Sequence, residues 1–189
     1  MTQHGTNTYL VGEGAVAVID PGPALPAHMA SILDALAPGE RISHILVTHA
    51  HLDHSPLAAP LARATGAAVH AFGGPQAGRS AVMQRLARTG FAGGGEGVDA
   101  RFAPHETLAD GAEIDAGGQV LRALWTPGHF GNHLCFAWGD AVFTGDHIMG
   151  WASTMVSPPD GDLTDFMAST ERLAGMAARV FYPGHGAPV

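Results

Sequence analysis

The stretch Thr48-His49-Ala50-His51-Leu52-Asp53-His54-Ser55 places three histidines and an aspartate within eight residues, directly after the apolar run Ile45-Leu46-Val47. Imidazole nitrogens and carboxylate oxygens are Lewis bases. A cluster of them at the end of a buried strand is costly unless a cation sits among them. The chemistry they suit is divalent-metal binding, with zinc matching imidazole and carboxylate donors and manganese or iron admitted as carboxylates accumulate. His49 and His51 alternate by two, so in an extended turn both can aim the same way. Three later segments share one plan, a strand, then a turn, then His or Asp: Thr126-Pro127-Gly128-His129, Thr144-Gly145-Asp146-His147 and Tyr182-Pro183-Gly184-His185-Gly186. Loops at strand ends can aim several side chains at one point, which makes His129, Asp146 and His185 the candidates for the remaining ligands.

In that order, the H-x-H-x-D-H cluster, TPGH, TGD and PGHG resemble the motifs of the metallo-β-lactamase superfamily of two-metal hydrolases, over nearly the whole chain. The resemblance implies an α/β fold in four layers, an αββα sandwich, with metals held at the edge of its two sheets. It implies that His49, His51 and His129 bind one metal, that Asp53, His54 and His185 bind the second, and that Asp146 bridges them. The cofactors implied are two Zn²⁺, or manganese or iron in their place. Two such cations share a hydroxide whose parent water has its pKa lowered toward ~7, and that hydroxide attacks the substrate. Asp53 is the candidate catalytic residue, able to orient the nucleophile or take its proton. Asp20, ending a strand before Pro-Gly, is a turn former that can also orient a ligand histidine. His133 is expected to hydrogen-bond a ligand, His147 either to do the same or to touch substrate, and Met149 and Trp151 to line the substrate mouth.

These side chains need a frame. Thr8–Val11 and Ala15–Ile19 flank Gly12-Glu13-Gly14 as a hairpin. Pro26 to Leu36 has helical apolar spacing, and Ile42 to Val47 is a short buried strand. Ser55 and Pro56 predict the cap and first turn of a helix running to Thr65 and stopped by Gly66. A strand over 67–72, a helix over 77–88 and a glycine-rich loop at 93–97 follow; that loop lacks phosphate-binding spacing. Strands at 113–114, 119–125, 134–138 and 141–144 precede a helix over 163–177, capped by Asp162, and a last strand at 179–182. Strand groups alternating with helices, twice over, imply helix-covered sheets in one domain spanning 1–189.

Composition narrows the function. The formal charge is −8, and all nine basic residues are arginines, so lysine Schiff-base chemistry is excluded. The arginines are scattered, without the basic stripe that grips nucleic-acid phosphates. One cysteine, Cys135, rules out an internal disulfide, and the start lacks a secretory pattern, so a cytoplasmic location is expected, with no membrane span.

The stretch TGDHIMGWASTMVSPPDGDL resembles the beta-lactamase-like hydrolases whose mitochondrial members act as endoribonucleases, with hydroxyacylglutathione hydrolases as neighbours. Those branches continue past PGHG into a helical region, which this chain is expected to lack, leaving an open site and an apolar patch that can favour a homo-oligomer. The expected activity is hydrolysis of a small-molecule ester, thioester or lactone. A phosphodiesterase or endoribonuclease of the same fold is the alternative, disfavoured by charge. A β-lactamase or a di-iron redox protein ranks below both.

Overall fold

The computed structural model describes residues 5–91 and 97–189. His4 and most of the glycine-rich loop expected at 93–97 lie outside the described residues. The hairpin forms as β1 (Tyr9–Val11) and β2 (Ala15–Ile19), paired antiparallel. The chain then builds α1 (Pro26–Asp34), β3 (Arg41–Leu46), α2 (Ala58–Thr65), β4 (Ala68–Ala71) and α3 (Ala81–Arg88). A two-residue strand, β5 (Glu106–Thr107), joins β4 in parallel; it is too short to show a periodic pattern in the sequence. The second half is β6 (Glu113–Ala116), β7 (Gln119–Trp125), β8 (Leu134–Trp138), β9 (Ala141–Gly145), α4 (Leu163–Ala174) and β10 (Val180–Pro183).

Two five-stranded sheets result, ordered β1-β2-β3-β4-β5 and β10-β9-β8-β7-β6. Strand alternation sorts the side chains into layers. Ala17, Ile19 and Leu46 of the first sheet meet Leu121, Ala123, Leu134, Phe136 and Phe143 of the second in the central core. Val18, Ile45 and Val47 face the other way, onto Ile32 of α1 and Leu61 of α2. Leu124, Cys135 and Val142 face out onto Leu173 of α4. The order helix, sheet, sheet, helix is the αββα sandwich. Ile42 and Ile45 both reach the helix side because the register of β2 against β3 shifts between Val16 and Ala17.

Four helix boundaries differ from expectation, the first being the end of α1 at Asp34, two residues early. Ser55 does not cap α2: its hydroxyl donates to the carbonyl of His51 and to Asp99, and Leu57 holds the cap position. The turn around His51 takes those backbone bonds first, and Leu57 is tied by its N–H to the Gly22 carbonyl. Gly66 does stop α2, at φ 77°. Helix α3 begins at Ala81, four residues late, because Gly78 has φ 74° and lies against the Gly131 carbonyl; Ser80 accepts from the Met83 N–H as its cap. Helix α4 ends at Ala174, with Asp162 accepting from the Thr164 N–H at its start. Among the described residues, no helix is long and apolar enough to cross a membrane.

Phe136 is wholly buried between the sheets, whereas Val120 on the neighbouring strand is exposed. Phe136→Ala is expected to lower unfolding stability by about 3–5 kcal/mol, and Val120→Ala by no more than about 0.5 kcal/mol, in urea titrations of the two variants.

Candidate metal centre

Strand direction brings the motifs together. Strands β2, β3 and β4 run parallel, and β7, β9 and β10 share one direction in the other sheet. The clusters that follow the C-terminal ends of β3, β7, β9 and β10 therefore collect at one edge of the sandwich. The β3 and β8 ends are joined there by the Leu134 N–H donating to the Thr48 carbonyl.

The side chains form two groups. His49, His51, His129 and Asp146 are all buried, with their donor atoms within 4.8 Å of one another; Asp53, His54 and His185 form a second group to the same limit. His49 Nε2 lies 2.9 Å from His51 Nδ1, which is 3.2 Å from His129 Nε2. In the other group, Asp53 Oδ2 lies 3.4 Å from His54 Nε2 and 3.2 Å from His185 Nε2. Asp146 reaches both. Its Oδ1 is 3.4 Å from His54 Nε2, and its Oδ2 is 3.3 Å from His185 Nε2 and 3.7 Å from His129 Nε2.

The far sides of the rings decide what those nitrogens can do. A carbonyl or carboxylate oxygen can only accept, so a ring nitrogen bonded to one must carry the proton. His54 Nδ1 donates to Asp20, His129 Nδ1 to the Met155 carbonyl and His185 Nδ1 to the Gly5 carbonyl. Thr48 Oγ1 gives its own proton to Asp20 and so accepts from His49 Nδ1. Four imidazoles are thus fixed with Nε2 facing the centre, free to present a lone pair when the ring is neutral. His54 Nε2 and Asp146 Oδ1 are buried and lack any hydrogen-bond partner. Convergent lone pairs, anchored from behind and unsatisfied in front, fit divalent metal ions.

Electrostatics agree with that fit. Burial drives His49 and His51 toward the neutral form, His51 to about 3. Burial opposes charge on His54 and His185 too, but Asp146 overrides it at both, joined by Asp20 at His54 and by Asp53 at His185, which rises to about 10. Burial works against ionised Asp53 and Asp146, yet the nearby imidazoles of His185 and His54 hold both carboxyls well below their usual range. Without a metal the protein neutralises the two carboxylates with protons; a cation would displace them.

Glycine makes room. A Cβ on Gly184 would collide with Asp146 Oδ1, and one on Gly145 would sit 2.8 Å from both His133 Nε2 and Thr48 Oγ1. His133 accepts the backbone N–H of Asp146 at 3.3 Å and bonds Thr126 through its other nitrogen. His147 is buried against Phe166 of α4 and bonds Thr170. Trp151 is exposed and donates to the His185 carbonyl, while Met149 is half-buried and joins no core cluster. Sequence reasoning missed Thr48, Thr6, which donates to Asp53 Oδ2, and the carbonyls of Gly5 and Met155. Backbone acceptors have no residue signature, and only Thr48, beside the first histidine, had a positional clue.

The chain matches the model of the metallo-beta-lactamase superfamily over residues 1–185, and it belongs to that family. It is 31% identical to the atrochrysone carboxyl ACP thioesterase of Aspergillus fumigatus, over all of this chain and 53% of that protein. It is 32% identical to the thioesterase pkgB of Emericella nidulans, over 98% of this chain and 47% of that one. The chain therefore spans about half the length of these curated relatives. Among solved structures, TTHA1623 in a di-iron-bound form superposes with a TM-score of 0.71 at 26% identity, covering 97% of this chain and 89% of that one. A metallo-beta-lactamase family protein from Thermus thermophilus gives 0.72 at 24% identity, over 97% and 69%.

Two outcomes are expected. Asp20→Ala strands the buried His54 Nδ1–H and the Thr48 N–H, so it should cost roughly 3–5 kcal/mol of stability and weaken metal retention about 10–100-fold in chelator competition. Metal titration at neutral pH should release protons, read from the dependence of calorimetric heat on buffer. The raised His185 pKa stabilises the metal-free fold below about pH 6.5, a contribution lost as pH climbs through about 10. Metal affinity should climb over that same interval, because fewer protons compete.

Proposed function

We propose that this chain is a binuclear metal-dependent hydrolase, with zinc as its metal and thioesters as its substrate class. The observation that carries the proposal is Asp146, whose two oxygens reach the two donor groups at once. Bound there, a pair of divalent ions would supply Lewis acidity and an activated water. The chain's residues do the rest. His49, His51 and His129 would hold one ion, and Asp53, His54 and His185 the other.

Asp53 is the most open of the carboxylate ligands, its side chain 18% exposed against 9% for Asp146. Its depressed pKa keeps it ionised, so it can orient the attacking water and accept a proton at Oδ2. The rim is apolar. Leu52, between His51 and Asp53, is exposed; so is Met155, whose carbonyl anchors His129, and so is Trp151 above His185. Such a rim suits an apolar acyl group better than a phosphodiester. The names of the curated thioesterase relatives support the same substrate class.

Metal analysis should give two zinc ions per wild-type chain and one or none for Asp146→Ala. Asp53→Asn should retain the fold and lower kcat for a small acyl thioester by roughly 10²–10⁴-fold. Two iron ions in protein grown with both metals available would replace zinc in the proposal. Phosphodiester cleavage without thioester cleavage by the metal-loaded chain would overturn the substrate class.

A further inference from the structure

The eight residues of α3, Ala81–Arg88, combine the apolar Val82, Met83 and Leu86 with the basic Arg85 and Arg88, yet the fold uses little of them. No residue of α3 is buried, and Val82, Met83 and Leu86 belong to none of the three core clusters. Val82 is 54% exposed. Val82 points its apolar side chain outward from a helix that half-buries Met83, Leu86 and Ala87 on its other side, and an exposed apolar side chain of that kind is available to an external surface.

Charge sets α3 apart as well. The chain carries a net −8, yet between Asp53 and Glu96 it has four arginines and no acidic residue. Arg79 is held by Asp160. Arg85 and Arg88 are exposed and meet no carboxylate among the described residues. Val82 and Arg85, at positions i and i+3, make a small exposed patch that is both apolar and positive.

The helix is rooted beside the metal centre. Ser80, its cap, donates to Asp162, and Arg79 bonds Asp160. That same segment is tied to the turn carrying His129: the Asp162 N–H donates to the Gly128 carbonyl, and the Gly131 N–H donates to the Asp160 carbonyl. Gly78 lies directly against Gly131. The N-terminal end of α3, from which the patch extends, is therefore joined to the loop that positions a metal ligand.

We infer that the exposed face of α3, with Arg85, Arg88 and Val82, is the docking surface for an acidic carrier protein that delivers the acyl thioester to the metal centre. The inference rests on the thioesterase proposal for its substrate, and on α3 alone for its surface. A protein-bound thioester must be presented at the rim, and complementary charge beside the rim speeds and orients that encounter.

The test uses the full metal-loaded chain and a purified, strongly acidic holo acyl carrier protein, with binding read separately from turnover. Arg85→Glu with Arg88→Glu should weaken carrier binding at least roughly tenfold at low salt, and about 0.5 M salt should shrink the difference. The same double variant should hydrolyse a small soluble thioester as wild type does. Arg179→Glu, immediately before β10 and so at the opposite edge, controls for net charge and should leave binding nearly unchanged. Val82→Asp supplies an independent variant, expected to weaken the carrier complex through the apolar contact.

No carrier binding by wild type, or equal binding by wild type and both α3 variants, would overturn the docking surface. So would binding of wild type to anionic phospholipid vesicles in place of the carrier, or self-association that the α3 variants abolish. Carrier binding with no thioester turnover would sink the thioesterase proposal and leave the surface standing.

Discussion

The Asp20 carboxylate joins the two strands that carry the first half of the site. One oxygen accepts the backbone N–H of Thr48 at 2.8 Å, and the other accepts the Thr48 hydroxyl at 2.7 Å and His54 Nδ1 at 2.8 Å. It is buried, and its backbone sits at φ 49°, an uncommon conformation for a residue with a side chain. Such a conformation costs on the order of 1 kcal/mol or more and persists where the surroundings over-determine it. Three donors to one buried carboxylate provide that. Because Thr48 gives its proton to Asp20, it can only accept from His49, so the same carboxylate sets the tautomers of two ligand histidines. Loss of this one group would free the rings before any metal arrived.

What the anchored rings create is an electrostatic problem the polypeptide does not solve alone. His49 and His51 are pushed neutral by burial, while His54 and His185 are pulled toward the charged form by Asp146 and its neighbours. One cluster therefore holds bases of opposite tendency a few ångströms apart, along with buried atoms that bond nothing. Divalent cations would resolve both tendencies, neutralising the carboxylates while every imidazole stays neutral. The glycines at 145 and 184 belong to the same design, since side chains there would occupy the space of the donors.

The two halves of the sandwich treat their helices differently, and the difference falls where the surroundings of the site are built. Helix α4 buries Leu173 against the second sheet and meets His147 through Phe166. Helix α3 has no fully buried residue and is hydrogen-bonded to the fold at its capped end, through Arg79 and Ser80. The rim of the metal centre is apolar at Leu52, Trp151 and Met155, and α3 carries the exposed Arg85 and Arg88. The core follows from strand alternation, whereas the rim does not contribute to the core and can carry recognition.

The ligand types, their order and the strand that precedes each were present in the sequence, because imidazole and carboxylate clusters after apolar runs have few other uses. The hairpin around Gly12 and Gly14, the end of α2 at Gly66 and the cap of α4 at Asp162 were legible too, since each depends on the local conformation of one or two residues. The start of α2 was not: Ser55 looked like a cap, but its hydroxyl turned to His51, and Gly22 took the N–H of Leu57. Nor was β5 visible, a pair of residues that becomes a strand only because β4 lies beside it. The resemblance of four motifs grouped the ligands into two sets. It also implied that Asp146 bridges them, and Asp20 was a candidate to orient a histidine; tertiary structure alone decided that Asp20 holds His54 and that the carbonyls of Met155 and Gly5 fix His129 and His185, because those bonds join residues 26 to 180 positions apart and have no local signature. Residue types determine which atoms can bind a metal; only the folded chain determines which nitrogen of each ring faces it.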